Sequence, residues 1–221
     1  MSALARLFRR ELALAWSGGG GPLLALGFYA AVTTLVPLST GPDPQRLAGV
    51  ATGVAWVGLA LASLLSLERM FERDFEDGAL DLISLGPLPL EAVAAVKAIA
   101  HWAAAGGPLT MAAPLAAVAL GAPDSLAPLI ALTAAIGGLA FAFVGGLGAA
   151  LALGSRRGAL VIAVIVPPLF APPVIFGGAA LDAFAGGLPW TTGLMLLIAY
   201  ALATVALCPF AMAAACRNAL S

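Results

Sequence analysis

The chain has 221 residues, of which 62% are hydrophobic and only 10% are charged, and its formal net charge is −1. Soluble domains carry about 25% charged residues, so this composition and a mean hydropathy of +1.06 exclude an ordinary soluble domain. A basic stripe that could meet a phosphate backbone is also missing, which excludes a nucleic-acid partner. We therefore predict an integral membrane protein.

Long apolar runs define the predicted transmembrane segments. A helix needs about 20 apolar residues to cross a bilayer core, and continuous runs favour helices over an alternating barrel pattern. The six predicted spans are 22–39, 47–67, 98–120, 126–153, 159–181 and 191–215. The predicted fold class is thus an all-α membrane protein with six transmembrane helices, in a single permease domain over 1–221.

Residues 2–16 precede the first span and form a predicted amphipathic helix. Its leucines lie on one face and its three arginines on the other, a pattern typical of a helix in the membrane interface. The alternative is a secretory or twin-arginine signal, which the interruption by Glu11 and a glycine joint at 17–21 disfavours. Glu11 projects to the apolar side, where its carboxylate either snorkels to water, as we expect, or meets a buried partner.

Residues 67–97, here called the platform, separate the second and third spans and hold ten of the chain's charged residues. Leu64, Leu67, Phe71 and Phe75 recur at helical spacing, so we predict that the second helix continues to Asp77 with its acidic residues facing away. A stop at Gly78, a short apolar helix and a proline turn follow. A solvated charged face would explain the charges alone, but a rigid segment of this kind needs a partner to bury Leu80, Leu82, Ile83 and Leu85.

The later spans contain few ionisable residues. His101 and Trp102 begin the third span, where the histidine either reaches water or serves as a ligand or proton relay. Gly138, Ala142, Gly146 and Ala150 form a small-residue stripe suited to close helix packing, within the chain or between chains. Two proline pairs interrupt the fifth span at 167–168 and 172–173, so we expect that helix to face inward, either as a fixed kink or as a moving, pathway-lining element.

Basic residues predict the orientation of the spans. Nine of the ten lie on one side if the amino terminus is cytoplasmic, and only Arg46 lies on the other side. The positive-inside rule therefore predicts cytoplasmic termini and a cytoplasmic platform.

The spacing of Cys208 and Cys216, about 12 Å along a helix, is too large for a disulfide between them. The sequence indicates no metal site.

Four stretches carry a resemblance to a known family. They are PLSTGPDPQRLAGVATGVAWV from Pro37, LLSLERMFERDFEDGALDLISLGPLPL from Leu64, VKAIAHW from Val96, and PFAMAAACR from Pro209. The platform resembles the coupling segment of type-2 ABC transporter permeases, with a coupling helix between spans 2 and 3, here at 68–91. Nearly the whole chain resembles the haem exporter protein B (CcmB) family of cytochrome c maturation.

That resemblance implies a multi-pass subunit of the bacterial inner membrane that works with a separate ATPase, CcmA, and with CcmC- and CcmD-like membrane proteins. A periplasmic haem chaperone, CcmE, would be released in its haem-loaded form at the cost of ATP. Haem is then the expected substrate, ATP binds the partner, and two permease copies or two related subunits are expected. No phosphate loop occurs in this chain, so any ATP hydrolysis belongs to a partner, and no catalytic set suggests an enzyme.

Two groups of residues are candidate functional sites. The predicted ATPase-docking residues, with the two phenylalanines as anchors and the acids as a polar rim, are Glu68, Arg69, Phe71, Glu72, Asp74, Phe75, Glu76, Asp77, Gly78 and Leu82. The candidate haem or pathway residues are His101, Trp102, Pro167, Pro168, Pro172 and Pro173. A direct haem exporter, a scaffold that conducts nothing and a secondary transporter remain as alternatives, the last being expected to show matched broken helices in both halves.

Overall fold

The computed structural model describes residues 2–17, 21–41, 43–65, 67–155 and 158–220, and for Glu68 the backbone alone. In this part of the chain every regular element is helical. The α-helices are α1 (Ala3–Ser17), α2 (Gly21–Thr40), α3 (Pro44–Leu64), α4 (Glu72–Glu76), α5 (Ala79–Ser84), α6 (Leu90–His101), α7 (Gly107–Ala119), α8 (Ala127–Ala152), α9 (Gly158–Ala185) and α10 (Thr191–Ala219). The predicted glycine joint and the basic pair at 156–157 lie at least partly outside the described residues.

Six helical segments of the described chain are long and apolar enough to cross a membrane. They are Gly21–Thr40, Pro44–Leu64, Leu90–Ala119, Asp124–Ala152, Gly158–Ala185 and Thr191–Ala219. The predicted all-α, six-span architecture is confirmed. The third segment starts at Leu90, earlier than the predicted 98, and joins α6 to α7 through a π-helical turn at Trp102–Gly106. Pro108 lacks an N–H, which removes one α-helical bond at this junction.

Helix α8 lies at the centre of the bundle. Most of its length is buried, and its glycines leave room for side chains from several neighbours. A Cβ on Gly145 would lie 2.5 Å from Leu67, and one on Gly146 would lie 2.9 Å from the sulfurs of Met70 and Met212. The small-residue stripe of the fourth span is therefore filled from within the same chain.

Trp56 of α3 fills a slot between α8 and α9. It is 2% exposed, and Cβ atoms on Gly137 and Gly177 would approach its ring to 2.5 Å and 1.9 Å. Phe141 packs edge-on against the indole with ring centres 6.3 Å apart and stacks on Phe170 at 4.2 Å. This aromatic row joins three spans through shape alone.

The predicted continuation of the second helix to Asp77 is wrong. Helix α3 ends at Leu64, where the Leu65 N–H donates to the carbonyl of Ala62 in a tight final turn. Leu67 and Phe71 are then 0% and 1% exposed. A straight extension would carry these side chains out of the bundle, so the chain bends to bury them.

Candidate docking platform

The platform is built from three short helical pieces joined by tight turns. A 3-10 turn at Glu68–Met70 leads into α4, and Gly78 separates α4 from α5. Gly78 has a φ of +70°, in the left-handed region that residues with a Cβ avoid, so the predicted stop at this glycine is present. Pro89 then starts α6, which carries the chain back into the bundle.

Apolar side chains attach the platform to the bundle. Leu67, Phe71 and Leu80 are each at most 1% exposed, and the close approach of Leu67 to Gly145 fixes the platform on α8. Burying a large apolar side chain stabilises a fold by about 1.5–3 kcal/mol when it leaves water. These contacts hold the platform against the bundle.

A cluster of four charged groups lies beneath α4. Lys97 of α6 contacts the carboxylate of Asp74, donates to Glu11 at 2.9 Å and donates to the carbonyl of Met70 at 3.2 Å. Arg10 of α1 donates to both Asp74 oxygens, at 2.6 Å and 3.3 Å, and to Glu11 at 2.6 Å. The Lys97 and Asp74 side chains are only 2% and 4% exposed. We call these residues the ionic cluster.

The ionic cluster keeps Asp74 in its charged form. Burial alone would raise the pKa of this carboxyl, but the hydrogen bonds from Arg10 and the charge of Lys97 outweigh it and lower the pKa. The same contacts with Asp74 raise the pKa of Arg10 against its partial burial. Two cations thus balance two anions, which is how proteins accommodate charges removed from water.

Two predictions about these charges are wrong. Asp74 does not face away from the bundle, because Lys97 and Arg10 draw its carboxylate inward. Glu11 does not snorkel to water, because the Lys97 ammonium lies within hydrogen-bond distance. A single sequence does not show which of several distant charges meet, so it could neither choose the buried partner over water for Glu11 nor name the cations that hold Asp74.

The outer surface of the platform is a leucine tip with acidic flanks. Leu82 and Leu85 of the α5 turn are 74% and 85% exposed. Four acids on α4 and α5 are also exposed, namely Glu72, Glu76, Asp77 and Asp81, and Arg73 forms only a long 3.9 Å pair with Asp77. Leu82 and Leu85 thus form a small apolar patch with a charged rim, the arrangement typical of an interaction site.

Burial separates the predicted docking residues into two groups. Phe71 and Asp74 are 1% and 3% exposed and pack within the chain, and Phe75 is half-buried against the core. Those that remain on the surface are Arg69, Glu72, Glu76, Asp77 and Leu82, while the side chain of Glu68 lies outside the described residues. Leu85 lies outside the predicted docking set but was among the side chains predicted to need a partner, and it is 85% exposed, whereas Leu80 from the same group is already buried within the chain.

Two grooves flank the platform. One, of about 650 Å³, lies between α1, the start of α2, the platform and α6, and His101 is among its lining residues. The other, of about 540 Å³, lies between α4 and the adjoining ends of α8 and α9, with Phe75 and Leu153 on its apolar side and Glu72 and Glu76 at its edge. These grooves leave α4 open on both sides.

Comparison with known proteins places the chain in a family. The family model described as CcmB protein matches residues 2–219. The chain belongs to the CcmB family. It is 46% identical over 211 residues to "Heme exporter protein B" of Paracoccus denitrificans, covering 96% of this chain and 97% of the relative. Proteins of the same name from Bradyrhizobium diazoefficiens and Escherichia coli K12 are 42% identical over 100% of both chains and 43% identical over 96% of both.

The aromatic candidate in the third span of this CcmB-family chain has a packing role. The indole N–H of Trp102 donates to the carbonyl of Ala135 in α8 at 3.1 Å. Cβ atoms on Gly106 and Gly138 would lie 2.8 Å and 3.4 Å from the same ring. The π-helical turn therefore directs Trp102 at α8, while half-buried His101 lines the 650 Å³ groove.

The fifth span of this CcmB-family chain does not face inward as predicted. Helix α9 is continuous from Gly158 to Ala185, and only 22% of its most apolar stretch is buried within the chain. Pro173 is buried, Pro172 is half-buried, and Pro167 and Pro168 are exposed. Each proline removes one backbone hydrogen bond from the helix. The helix nevertheless stays continuous, and the proline pairs do not require it to be buried in the bundle.

Among the described residues, no group of three or more His, Cys, Asp or Glu side chains could hold a metal ion. The two cysteines of α10 are buried free thiols. The platform presents an apolar tip with acidic flanks and is held to the bundle by buried apolar side chains.

Proposed function

We propose that this chain is the membrane subunit of an ATP-driven ABC complex for haem handling in cytochrome c maturation. The names of its relatives, "Heme exporter protein B" at 38–46% identity, support haem as the molecule that the complex serves. The chain has no phosphate-loop motif, so ATP would be hydrolysed by a separate, CcmA-like subunit. The subunit itself would be non-catalytic.

The observation that carries the proposal is the exposed leucine tip of the platform. Leu82 and Leu85 would enter an apolar pocket of the ATPase, and the acids of α4 and α5 would form the polar rim around it. This revises the anchors from Phe71 and Phe75 to Leu82 and Leu85. Exposed leucines are stabilised when a partner covers them, and the surrounding charges keep the free chain soluble at this surface.

The ionic cluster would transmit movement of the docked ATPase into the membrane. Asp74 belongs to α4, Lys97 to α6, and Arg10 with Glu11 to α1. Any displacement of α4 that keeps these bonds must also displace the third span and the amino-terminal helix. Breaking them would instead leave buried charges without partners, which is costly.

We place the subunit in the bacterial inner membrane with both termini in the cytoplasm, and α1 in the membrane interface. Its further partners would be CcmC- and CcmD-like membrane proteins and a CcmE-like chaperone whose haem-loaded form is released by ATP hydrolysis. Two ATPase sites imply two permease copies or two related membrane subunits. Within this function there are two alternatives. The subunit either exports haem directly or acts as a mechanical scaffold that conducts nothing. ATP-dependent haem uptake into vesicles containing the complex separates them.

Docking is tested by replacing Leu82 and Leu85 together with serine. We expect at least a tenfold loss of ATPase subunit co-purifying with the chain, since two buried anchors are removed. The matched control replaces two other well-exposed leucines at the opposite end, Leu38 and Leu188, which are 76% and 63% exposed. Equal retention of the ATPase by both double variants would rule out the tip as the docking site.

A further inference from the structure

The 650 Å³ groove beside the platform has two kinds of lining. Apolar side chains come from α1 and from the spans, among them Leu14, Leu24 and Leu65. The platform contributes four exposed charged side chains, namely Arg69, Glu72, Arg73 and Glu76. A groove divided in this way fits an amphiphile, whose apolar part would lie against the spans and whose charged part would lie against the platform.

The groove lies at the level where two spans end. Helix α2 begins at Gly21 and α3 ends at Leu64, and both Gly21 and Leu65 line the groove. Leu24 and Leu65 are 59% and 42% exposed, so the apolar lining is open to the surroundings of the bundle. In a bilayer, the ends of spans mark the boundary between acyl chains and headgroups. A lipid is therefore the amphiphile that meets this groove directly.

The third span makes room on the opposite wall. Its π-helical turn at Trp102–Gly106 contributes Ala104 and Ala105 to the groove. Their small side chains leave space beside the apolar lining. Turns of this kind occur frequently at functional sites, so the shape of this wall is a second feature, independent of the charges, that fits a bound ligand.

The charges of the groove select the headgroup. Two of the four platform residues are positive and two are negative, and they alternate along the chain. A headgroup with only negative charge would meet the two arginines but would also be repelled by the two glutamates. A headgroup with a phosphate and an ammonium group matches both pairs. Exposed ion pairs such as the 3.9 Å contact of Arg73 with Asp77 are weak, so they can exchange partners with it.

We propose that this groove binds a phospholipid whose headgroup carries both a phosphate and a primary ammonium group, as in phosphatidylethanolamine. The phosphate accepts hydrogen bonds from Arg69 and Arg73. The ammonium group donates to Glu72 and Glu76, and the acyl chains lie against the leucines of the spans. The site does not include the leucine tip, so it does not depend on the docking of an ATPase.

The test uses the full-length chain, without an ATPase, in lipid nanodiscs. The discs contain equal amounts of phosphatidylethanolamine, phosphatidylcholine and phosphatidylglycerol with identical acyl chains, and one lipid at a time carries a photoreactive diazirine on its chain. Phosphatidylcholine has the same two charges, but its quaternary ammonium cannot donate a hydrogen bond. Phosphatidylglycerol has the phosphate alone.

We expect the peptides that contain Leu24 and Leu65 to gain about three times more adduct from phosphatidylethanolamine than from either other lipid, the scale of a partly exposed ion pair. The peptide that contains Leu38, which is 76% exposed at the opposite end, is the internal control and should show no preference. Equal yields of the three lipids at the groove, or the highest yield from phosphatidylglycerol, would overturn the proposal.

Two double variants test the role of the glutamates. Glu72→Gln with Glu76→Gln should abolish the excess of phosphatidylethanolamine over phosphatidylcholine. Glu72→Lys with Glu76→Lys should turn the preference to phosphatidylglycerol, because the groove then carries only positive charge at the platform. Asp124→Asn is the control, since it removes an exposed acid at the other end of the bundle and should change nothing. An unchanged preference in both double variants would refute recognition by the two carboxylates.

Two further measurements distinguish a lipid from other occupants. With the photo-crosslinking residue p-benzoylphenylalanine at Leu65 in native membranes, we expect an adduct with a lipid; an adduct with a protein in its place would overturn the proposal. Excess free phosphoethanolamine, which has no acyl chains, should not reduce the lipid adducts in nanodiscs. If it removed them, the apolar lining would have no role and the groove would be a site for a soluble headgroup only.

Discussion

At the scale of single residues, the ionic cluster decides how the platform is held. Lys97 makes three contacts while being 2% exposed, with Asp74, Glu11 and the carbonyl of Met70. Surface pairs contribute about 0–1 kcal/mol, whereas removing one partner of a buried pair costs about 3–5 kcal/mol. Whether a charged side chain is buried therefore says more about how the platform is held than the number of charges on the platform does.

Lys97→Met tests this difference. We expect the free energy of unfolding to fall by about 3 kcal/mol, because Asp74 and Glu11 lose a buried cation. Arg73→Met is the control, since it removes a cation that is 51% exposed from the long pair with Asp77, and its loss should stay below about 1 kcal/mol. Thermal unfolding of the chain in detergent measures both, and equal losses would contradict a stabilising cluster.

Acid should weaken the cluster through Asp74. Its pKa is lowered in the folded chain from an ordinary value of 3.8, so the folded state binds this proton less readily than the unfolded state. The stabilising contribution is complete above about pH 4 and is lost as the pH falls through the lowered folded pKa. Unfolding temperatures measured from pH 7 to pH 3 should decline less steeply for Asp74→Asn than for the unaltered chain. Parallel curves would exclude Asp74 as the source.

At the scale of elements, small residues on α8 and α9 determine which helices can approach. Trp56 occupies space that Cβ atoms at Gly137 and Gly177 would fill, and Phe141 and Phe170 continue the contact. Hydrophobicity does not drive helix association within a membrane, so packing of this kind takes its place. Which helices contact each other thus depends on the size and shape of the side chains at a few positions.

Gly177→Ala should destabilise the bundle, whereas Gly178→Ala at the adjacent position should not. A Cβ at Gly177 would lie 1.9 Å from Trp56, whereas one at Gly178 meets nothing within 4 Å. Overpacking of this kind costs about 1–3 kcal/mol, and Gly178→Ala should stay within about 0.5 kcal/mol or gain slightly from better helix propensity. Unfolding in detergent compares the two, and a loss at Gly178 equal to that at Gly177 would show that the slot does not matter.

At the scale of the whole molecule, the platform and the start of α3, where Arg46 lies, are at opposite ends of the bundle. Nine of the ten basic residues belong to the platform end in the predicted topology, and the positive-inside rule predicts that this end is cytoplasmic. The proposed docking of an ATPase requires the same orientation, because ATP is available in the cytoplasm. Orientation is therefore the molecular property on which the proposed function depends most directly.

Cysteine labelling checks the orientation. Leu82→Cys should react with a membrane-impermeant maleimide only in inverted vesicles, and Arg46→Cys only in right-side-out cells. Both sites are well exposed, and the native Cys208 and Cys216 are 7% and 0% exposed, which keeps background labelling low. The reverse pattern would place the platform outside and exclude an ATPase as its partner.

The sequence alone determined the fold class, the number of spans and the position of the platform. These follow from local properties: apolar runs of sufficient length, a break in hydropathy, and Gly78 where a left-handed turn is needed. Local rules also gave one error at the end of α3. The helical spacing of apolar residues continued through Leu67 and Phe71. The chain nevertheless bends after α3, because these side chains pack into space beside α8.

Only the tertiary structure decided which charges and carbonyls meet. Asp74 lies 64 residues from Arg10 and 23 from Lys97 in the chain, and Tyr200 donates its hydroxyl to the carbonyl of Leu169, 31 residues away. Whether a charge is solvated or buried, and whether a freed carbonyl finds a donor, depends on such distant neighbours, which neither composition nor periodicity encodes. Distant neighbours also decide that Phe71 is buried while Leu82 and Leu85 stay on the surface. From the sequence alone, Phe71 was an equally good candidate for docking.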